Sequence, residues 1–566
     1  MSVQNSGLME YWVYLVIIIV PVSFLLFRQY RRKKQGNLRA EYLEQWGKDS
    51  TKSYFHFNNI EQYFRNRSAK EEAWHIISDQ VAADLDLNDL FRYVDRTISK
   101  IGQQYLYYKL RVIEGLKSLD RFQDIKDLMT SDEELRLDIQ MQLARLSSHD
   151  NYEVERLINH MGMEKPSFSR FLFPLSLLAI LSIVLGFFNI GFFFLLLPLF
   201  MLNAYFHYKT KSYIAVYQTA VSQLNKTHRV AEEIGKHKVL RNYFEDLDFI
   251  EGLKPIRSRM RFIEFERQMN DEYAILVWSI LELFNIVFNF EAIVFFSFID
   301  EVFKRQHQIH AMYCFLGELD CAQSVASLTY QNTSVCRPGF LDEKEIKFKG
   351  LKHPLVENCI ANDLGLKGES LLLTGSNMSG KTTFIRALAL SSLTAQTLNI
   401  AFAESFSIPF LKLYSSIRIS DDLNESTSYY LKEVLVLKEF LAASKGEAPC
   451  LFIMDEIFKG TNTVERISGA KAMLSYLNNQ KDMVFVSTHD TELADLLNEE
   501  AYALYHFSEQ IVDGSLSFDH KLKEGQLKTR NAIEILDIYG YPKSIVEEAR
   551  KTAEKQFGWT LGKTDL

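Results

Sequence analysis

Apolar residues along this chain form short runs in one part and long runs in another. The short runs Leu371–Leu373, Cys450–Met454 and Val484–Val486 each end at small or charged residues, which predicts buried strands. Phe384–Leu390 follows the first of them and predicts a helix. Strands that alternate with helices predict an α/β domain, which we place at residues 339–566.

Two longer apolar runs contain no charged residue. Residues 11–27 form a run of about 17, which is long enough to cross a bilayer as a helix. Residues 171–206 form a run of about 36, and one helix of that length would measure about 54 Å against a hydrocarbon core of about 30 Å. The second run therefore predicts two helices with a turn near residues 186–191. The chain thus has three predicted transmembrane helices, and buried core helices are the alternative for each run.

Basic residues set the predicted orientation of these helices. They follow the first run directly and flank both ends of the second, whereas residues 1–10 contain none. The positive-inside rule then predicts a multi-pass protein of the cell (inner, cytoplasmic) membrane, with its N-terminus outside and its C-terminal domain in the cytoplasm. Because a basic start and a small-residue cleavage site are both missing, we expect an uncleaved anchor. The flanking residues are Arg28, Arg31, Arg32, Lys33, Lys34, Lys165, Arg170, Lys209 and Lys211.

The rest of the N-terminal part has periodic apolar positions and few Gly or Pro, which predicts helices. Its aromatic residues are expected to pack helices against one another rather than to stack on bases. These residues are Phe262, Phe265, Tyr273, Trp278, Phe284, Phe288 and Phe290. The predicted organisation is an outer N-terminus (1–10), a first span (11–27), a helical segment (28–170), a membrane hairpin (171–206), a second helical segment (207–338) and the α/β domain (339–566).

Residues 371–383, LLLTGSNMSGKTT, contain the pattern G-x-x-x-x-G-K-[ST] between a predicted strand and a predicted helix. In that context the loop's N–H groups bind the phosphates of a nucleotide. Lys381 is expected to reach the β- and γ-phosphates during catalysis, and the Thr382 hydroxyl to bind Mg²⁺. A chance Gly-rich turn is the alternative. The predicted binding residues are Gly375, Ser376, Asn377, Met378, Ser379, Gly380, Lys381, Thr382 and Thr383.

Other polar residues follow predicted strands or precede a predicted helix. Asp455 is expected to bind Mg²⁺, and Glu456 to orient or deprotonate the attacking water. His489 follows a further strand and is expected to sense the γ-phosphate or position the water. Ser426 precedes the helical run Tyr429–Phe440, where it either caps the helix or meets the γ-phosphate of a second subunit.

Together these residues resemble the ATPase domain of the MutS family, a branch of the ABC-type ATPases. The pair Asn377-Met378 is typical of that family, although Ser376 and Ser379 stand where the family usually has Pro and Gly. Further matching segments are Lys352–Glu357, Asn362-Asp363, Asp421–Thr427, Asp455-Glu456, Gly460-Thr461, Thr488-His489 and Gly540–Arg550. The resemblance implies a P-loop ATPase domain that uses ATP and Mg²⁺ and works as a homodimer. Ser426 would then act on the partner's nucleotide, and Gly460-Thr461 would line the dimer contact.

The resemblance extends more weakly upstream, to an all-α core that acts as a lever. Leu90–Gly102 and Leu319–Leu328 resemble the two ends of that core in MutS proteins. We expect no mismatch-recognition or connector domain before residue 75, and we expect the wedge-like Phe262-Ile263-Glu264 to be a chance match. Because the predicted hairpin interrupts the core as the DNA clamp does in MutS, we hypothesise that it replaces the clamp.

Charge bears on the choice of partner. The net charge is −8, of which residues 341–566 contribute −7 (25 basic, 32 acidic) and residues 1–340 contribute −1 (39 basic, 40 acidic). The helical half therefore lacks the basic excess expected of a DNA-gripping surface. The five cysteines form no C-x-x-C pair, which favours reduced thiols. Three hypotheses follow: a membrane-anchored ATPase that binds mismatched or structured DNA, the same motor acting on a protein or membrane partner, and, least favoured, a transporter.

Overall fold

The computed structural model describes residues 4–66, 73–159, 165–244, 247–256, 275–376, 378–418, 429–512, 515–527 and 532–557. The chain forms two compact units. The first, or helical, unit consists of Met1–Ser68, Asp95–Tyr108 and Gln123–Tyr330, and the second, or sheet, unit of Ala69–Val94, Lys109–Phe122 and Gln331–Leu566.

Helices make up most of the chain before residue 332. In chain order they are α1 (Gln4–Gln45), α2 (Phe57–Ile60), α3 (Gln62–Asn66), α4 (Asp79–Asp84), α5 (Leu87–Val94), α6 (Lys100–Arg111), α7 (Leu116–Ser131), α8 (Glu133–Leu143), α9 (Glu155–Ile158), α10 (Ser169–Gly186), α11 (Leu196–Ile234), α12 (Phe249–Gly252), α13 (Ile275–Phe288), α14 (Phe290–Lys304) and α15 (Gln306–Thr329). Short 3₁₀ segments are Ala144–Leu146, His149–Val154, Ile190–Leu195 and Lys238–Asn242.

Several of these helices are strongly apolar. By length and composition, Ser169–Gly186 and Ile190–Tyr217 are each able to cross a membrane, and a bent pair, Ser279–Phe288 with Phe290–Lys304, is a third candidate among the residues searched. The break between the first two lies within the predicted turn. The predicted first span lies in α1, but the side chains of residues 11–20 are outside the described residues.

The prediction that the aromatic residues between 262 and 290 pack helices against one another agrees with a contact between α13 and α14. Phe284 and Phe290 are exposed, although their rings contact each other. The polar side chains of Asn285 and Asn289 in the same segment are buried. The side chains of Phe262, Phe265, Tyr273 and Trp278 lie outside the described residues.

A buried carboxylate joins the two segments that resemble the MutS core. Asp320 accepts hydrogen bonds from the backbone N–H groups of Ile98 (2.8 Å) and Ser99 (2.7 Å) and from the Ser99 hydroxyl (2.6 Å). Gly102 packs so closely that a Cβ there would lie 2.1 Å from the Asp320 carboxylate, so the position requires glycine. Burial raises the pKa of Asp320, while these donors oppose the rise. The hydrogen bonds to Asp320 thus hold these two segments of the helical unit together.

The sheet unit is built on a six-stranded sheet with the order β14-β11-β6-β10-β9-β8, in which only the edge strand β14 is antiparallel. A four-stranded sheet has the order β3-β7-β4-β5. The strands are β1 (His75–Ile76), β2 (Val112–Ile113), β3 (Gly339–Leu341), β4 (Glu345–Leu351), β5 (Asn362–Lys367), β6 (Ser370–Thr374), β7 (Ser405–Pro409), β8 (Lys412–Ser416), β9 (Cys450–Asp455), β10 (Met483–Thr488), β11 (Tyr502–His506), β12 (Glu509–Val512), β13 (Ser515–Phe518) and β14 (Lys523–Glu524).

Among the described residues, six helices follow β6 along the chain, four of them before β11 and two after β14. They are α16 (Lys381–Leu398), α17 (Tyr429–Ser444), α18 (Thr463–Leu477), α19 (Thr491–Leu497), α20 (Ala532–Ile538) and α21 (Lys543–Phe557). All residues of β6 and β10 are buried, as expected for central parallel strands, which are covered on both faces. The three apolar runs seen in the sequence are therefore neighbouring strands β6, β10 and β9.

Candidate functional site

The site lies where the three central strands end. β10 pairs in parallel with both β6 and β9, with Thr488 opposite Thr374 and Ser487 opposite Asp455. The residues that follow the three strands, Gly375, Glu456 and His489, therefore come to one edge of the sheet. This is the edge at which open α/β sheets bind ligands.

The phosphate loop joins β6 to α16. Gly375 has a φ of +150°, and a Cβ there would lie 2.8 Å from the carbonyl oxygen of Phe507, so a side chain is excluded. The Lys381 ammonium is buried and donates to the carbonyl oxygens of Gly375 (2.7 Å) and Ser376 (2.9 Å). Desolvation lowers the pKa of Lys381 to about 8, and the nearby carboxylates, led by Asp455, oppose this. The Lys381 ammonium is thus held against backbone carbonyl oxygens of the phosphate loop.

Asp455 ties the phosphate loop to the other two strands. Its Oδ2 accepts a hydrogen bond from the Thr382 hydroxyl at 2.6 Å, and its Oδ1 accepts one from the Ser487 hydroxyl. The two residues that the sequence predicts as Mg²⁺ ligands, Thr382 and Asp455, are therefore in direct contact. Hydroxyl and carboxylate oxygens are the ligands that Mg²⁺ prefers.

Glu456 and His489 are in direct contact at the strand ends. His489 Nε2 contacts Glu456 Oε1, and His489 Nδ1 donates to the Gly375 carbonyl at 2.9 Å. Lys459 also pairs with Glu456 at 2.6 Å. The hydrogen bond from His489, followed by the contacts with Lys459, lowers the pKa of Glu456 to about 2 against the effect of burial. Glu456 is thus an ionised carboxylate in the neutral pH range.

Three further residues support this site and were missed by the sequence reasoning. The Arg466 guanidinium makes two hydrogen bonds to Asp490, at 2.9 and 2.7 Å, directly after His489. His520 Nδ1 donates to the carbonyl of Ser379 in the phosphate loop, at 2.9 Å. Asp490 was detectable as the neighbour of His489, whereas Arg466 and His520 lie in no motif and are brought there only by folding.

A cavity of about 330 Å³ opens beside the phosphate loop. It is lined by the loop and catalytic candidates Ser376, Met378, Gly380, Lys381, Thr382, Thr383 and Glu456, together with the apolar residues Leu351, Val356, Ile360, Phe384 and Phe507. The Ser376 hydroxyl is buried and has no hydrogen-bond partner among the described residues. The cavity therefore offers both polar and apolar contacts to one ligand.

Two predicted site residues cannot be placed. Asn377 and Ser426 lie outside the described residues, as does the segment Asp421–Thr427. Gly460-Thr461, the predicted dimer contact, lies in the loop before α18, where the Thr461 hydroxyl donates to Glu465 at 2.8 Å.

The phosphate loop, the acidic pair after β9 and the histidine after β10 define a P-loop ATPase domain. The family model of MutS domain V matches residues 371–556. Similar curated proteins include the DNA mismatch repair protein MutS of Listeria monocytogenes serotype 4a (strain HCC23), 32% identical over 252 residues, which are 42% of this chain and 29% of the relative. The DNA mismatch repair protein MutS of Natronomonas pharaonis is 30% identical over 259 residues, 44% of this chain and 30% of the relative.

Residues 371–556 of the chain are a MutS-type ATPase domain, MutS domain V. The chain spans less than a third of the length of these relatives, 29–30%, so the similarity concerns their ATPase part.

Proposed function

We propose that this protein is a membrane-anchored ATPase that hydrolyses ATP in a composite site shared by two copies of the chain. The observation that carries the ATPase part is the meeting of Lys381, Thr382, Asp455, Glu456 and His489 at one sheet edge beside the cavity. Each of these residues has a role in phosphoryl transfer to water that its chemistry allows.

The residues of the loop fit a triphosphate and its metal ion. The Ser376 hydroxyl, which has no hydrogen-bond partner among the described residues, would donate to a phosphate oxygen, and Lys381 would supply the positive charge. Thr382 and Asp455 would hold Mg²⁺. When bound, this ion neutralises charge on the phosphate oxygens.

Glu456 and His489 are placed to act on the attacking water. The ionised Glu456 accepts a hydrogen bond and orients the water, while His489 links Glu456 to the phosphate loop through Gly375. We infer that the Arg466–Asp490 pair positions His489, which directly precedes Asp490 in the chain. Glu456 already contacts His489 and Lys459. A bound nucleotide therefore has to compete with Glu456 for contacts with His489 and Lys459.

We infer the dimer from the family resemblance. In that arrangement Ser426 of one subunit meets the nucleotide of the other, and Gly460-Thr461 lie at the contact. Helix α17 follows Ser426 in the chain, and the N–H groups at a helix N-terminus favour an anion such as the γ-phosphate. The described helix α17 begins at Tyr429.

Membrane anchoring is supported by the polarity of α10 and α11, which is the reverse of that expected in water. Leu178 (51%) and Met201 (65%) are exposed, whereas Ser176 and Asn203 are buried between the helices. An apolar outer surface of this extent has no counterpart on most soluble monomers. Hydrocarbon would cover these apolar side chains, while Ser176 and Asn203 donate hydrogen bonds to backbone carbonyls inside.

The ends of the hairpin carry the residues expected at a membrane surface. Lys209 Nζ lies 5.0 Å from the ring centre of Phe168 and 5.6 Å from that of Tyr205. Arg170 lies over Phe171 at 4.8 Å. Aromatic rings with basic side chains next to them are typical of the headgroup layer. With basic residues on the cytoplasmic side, the ATPase domain lies in the cytoplasm of a cell-membrane protein.

Our leading proposal for the partner is mismatched or structured DNA, in repair or recombination, since the relatives are named DNA mismatch repair proteins. The alternative is a protein or membrane partner without DNA. It is favoured by the net charge of −1 over residues 1–340 and by the membrane hairpin, which would replace the DNA clamp.

The decisive experiment measures ATP hydrolysis by the detergent-solubilised full chain with no DNA and with duplex, branched and single-stranded DNA. Glu456→Gln serves as the blank. Stimulation that depends on DNA structure and weakens with salt supports the DNA proposal. Turnover that is equal with every DNA supports the alternative, and turnover in wild type no faster than in the blank contradicts the ATPase proposal.

A further inference from the structure

A third apolar segment, Ile275–Lys304, lies outside the predicted hairpin and consists of α13 and α14. Its two helices are bent by 68° at Asn289, which has a left-handed backbone with a φ of 47°. Asparagine tolerates this conformation better than other residues that bear a Cβ. The segment is therefore two helices with a defined break.

The outward face of α13 is apolar, and its inward face is polar. Ile280, Leu283 and Phe284 are exposed, whereas Asn285 and Asn289 are buried. This is the same reversed polarity that α10 and α11 show, and α13 packs against both of them. The apolar surface of the hairpin thus continues onto α13.

Side chains of the hairpin satisfy the backbone at the break. The carbonyl of Val287 accepts a hydrogen bond from the Asn203 amide at 2.7 Å, and the carbonyl of Phe288 accepts one from the Ser176 hydroxyl. Helix interruptions are tolerated at membrane depth only where the freed backbone groups are satisfied by protein or water. The polar residues of α10 and α11 at these positions therefore have a function beyond packing the hairpin.

The segment Ile275–Lys304 first contacts α11 near the basic end of the hairpin, then farther from that end, and then near it again. Glu282 pairs with Lys211 (2.6 Å) and His207, near the basic end of the hairpin. Val287 reaches Asn203, which lies eight residues before Lys211 and thus about 12 Å deeper along the helix. After the break, Phe295 lies with its ring 6.3 Å from that of Tyr213, beyond Lys211. Phe296 similarly approaches Phe168, just before the start of α10.

We propose that Ile275–Lys304 is a re-entrant membrane element that enters and leaves the bilayer on the ATPase side, with Asn289 near its deepest point. Lipid acyl chains cover its outer face. This inference rests on the proposed membrane anchoring and adds to it a membrane contact that no apolar run of the sequence predicted. The number of membrane crossings supports a re-entrant path. One additional full crossing would move all later residues, including the ATPase domain, to the opposite side of the membrane.

The test uses single added cysteines and a membrane-impermeant maleimide in sealed vesicles of both orientations. Lys254→Cys and Lys304→Cys report the two flanks, and Leu283→Cys reports the outer face of α13. Two matched positions report the hairpin itself: Leu178→Cys in the middle of α10 and Phe188→Cys at its turn. All five side chains are exposed, so the substitutions leave the packing intact. The wild-type chain, with its five free cysteines, gives the background.

The proposal expects both flanks to be labelled only from the ATPase side, and Leu283→Cys to be labelled from neither side until detergent is added. Labelling of Leu283→Cys in intact vesicles while Leu178→Cys stays protected would overturn the re-entrant element alone. Flanks labelled from opposite sides would replace it with a full span. Labelling of Leu178→Cys in intact vesicles, or of Phe188→Cys from the ATPase side, would instead overturn the membrane anchoring on which the inference rests.

Discussion

The central sheet buries its apolar side chains, whereas the apolar hairpin exposes apolar side chains and buries polar ones. In the sheet, Leu372 and Phe452 are fully buried, and polar residues appear where the strands end. In the hairpin, Leu178 is exposed and Asn203 is fully buried. The surface of the sheet unit suits water, whereas the surface of the hairpin suits the hydrocarbon that the proposed membrane anchoring supplies. A buried polar residue therefore marks chemistry at the sheet edge and packing in the hairpin.

The sharpest test of this comparison removes a charge from the sheet edge. Glu456→Gln keeps the size of the side chain but cannot accept a proton, so we expect kcat to fall by about 10²- to 10⁴-fold with nucleotide binding retained. Single-turnover hydrolysis and titration with a fluorescent nucleotide measure the two effects. Glu447→Gln, an exposed loop position, is the matched control. Normal turnover in Glu456→Gln would remove this residue from the reaction.

The second test adds a charge to each region at equally exposed leucines. Leu178→Arg, in the middle of α10, is expected to cost about 2.5–3.5 kcal/mol of membrane insertion. Leu496→Arg on α19 is 49% exposed as Leu, against 51% for Leu178, and should change stability by no more than about 0.5 kcal/mol. The fraction of protein that resists alkaline extraction from membranes measures the first effect, and thermal unfolding the second. Equal tolerance of both substitutions would mean that water surrounds the hairpin too.

The third test concerns the pH dependence of nucleotide binding. The pKa of Lys381 in the free protein is lowered to about 8, so its charge is present below that pH and lost above it. Because phosphate favours the charged amine, ATP affinity should fall as pH rises past about 8, by at most about tenfold per pH unit. Glu456, with a pKa of about 2, stays ionised throughout this range. Binding titrations from pH 7 to pH 9.5 measure the effect. A constant affinity in wild type, or the same slope in Lys381→Ala, would contradict this assignment.

The smallest effect is expected for the residue that positions His489. Arg466→Lys keeps the charge but loses the two-pronged contact with Asp490, which should lower kcat by about 2- to 5-fold, or about 0.5–1 kcal/mol. Asp490→Asn should have a similar effect. Steady-state kinetics of the two single variants and the double variant measure the coupling. Fully additive losses would show that the contact with Asp490 is not the reason.

The phosphate-loop lysine and the strands around it were predictable because their signals are local. The loop pattern and the apolar runs on either side of Lys381 fall within a few residues. By contrast, Arg466 and His520 lie far along the chain from the groups they contact, so local patterns carry no trace of them. The exposure of Phe284 and Phe290 was likewise not predictable, because an apolar residue gives the same sequence signal whether it is buried or exposed.

The sequence alone determined the ATPase domain, its family and the two apolar helices of the hairpin, because each depends on residues close together in the chain. Only the tertiary structure decided which polar groups meet. It placed Asp320 on the backbone of Ile98 and Ser99, joined Glu456 to His489, and set Ser176 and Asn203 against the broken helix at Asn289. These contacts depend on directional hydrogen bonds between distant segments, whereas burial follows from composition and periodicity along the chain.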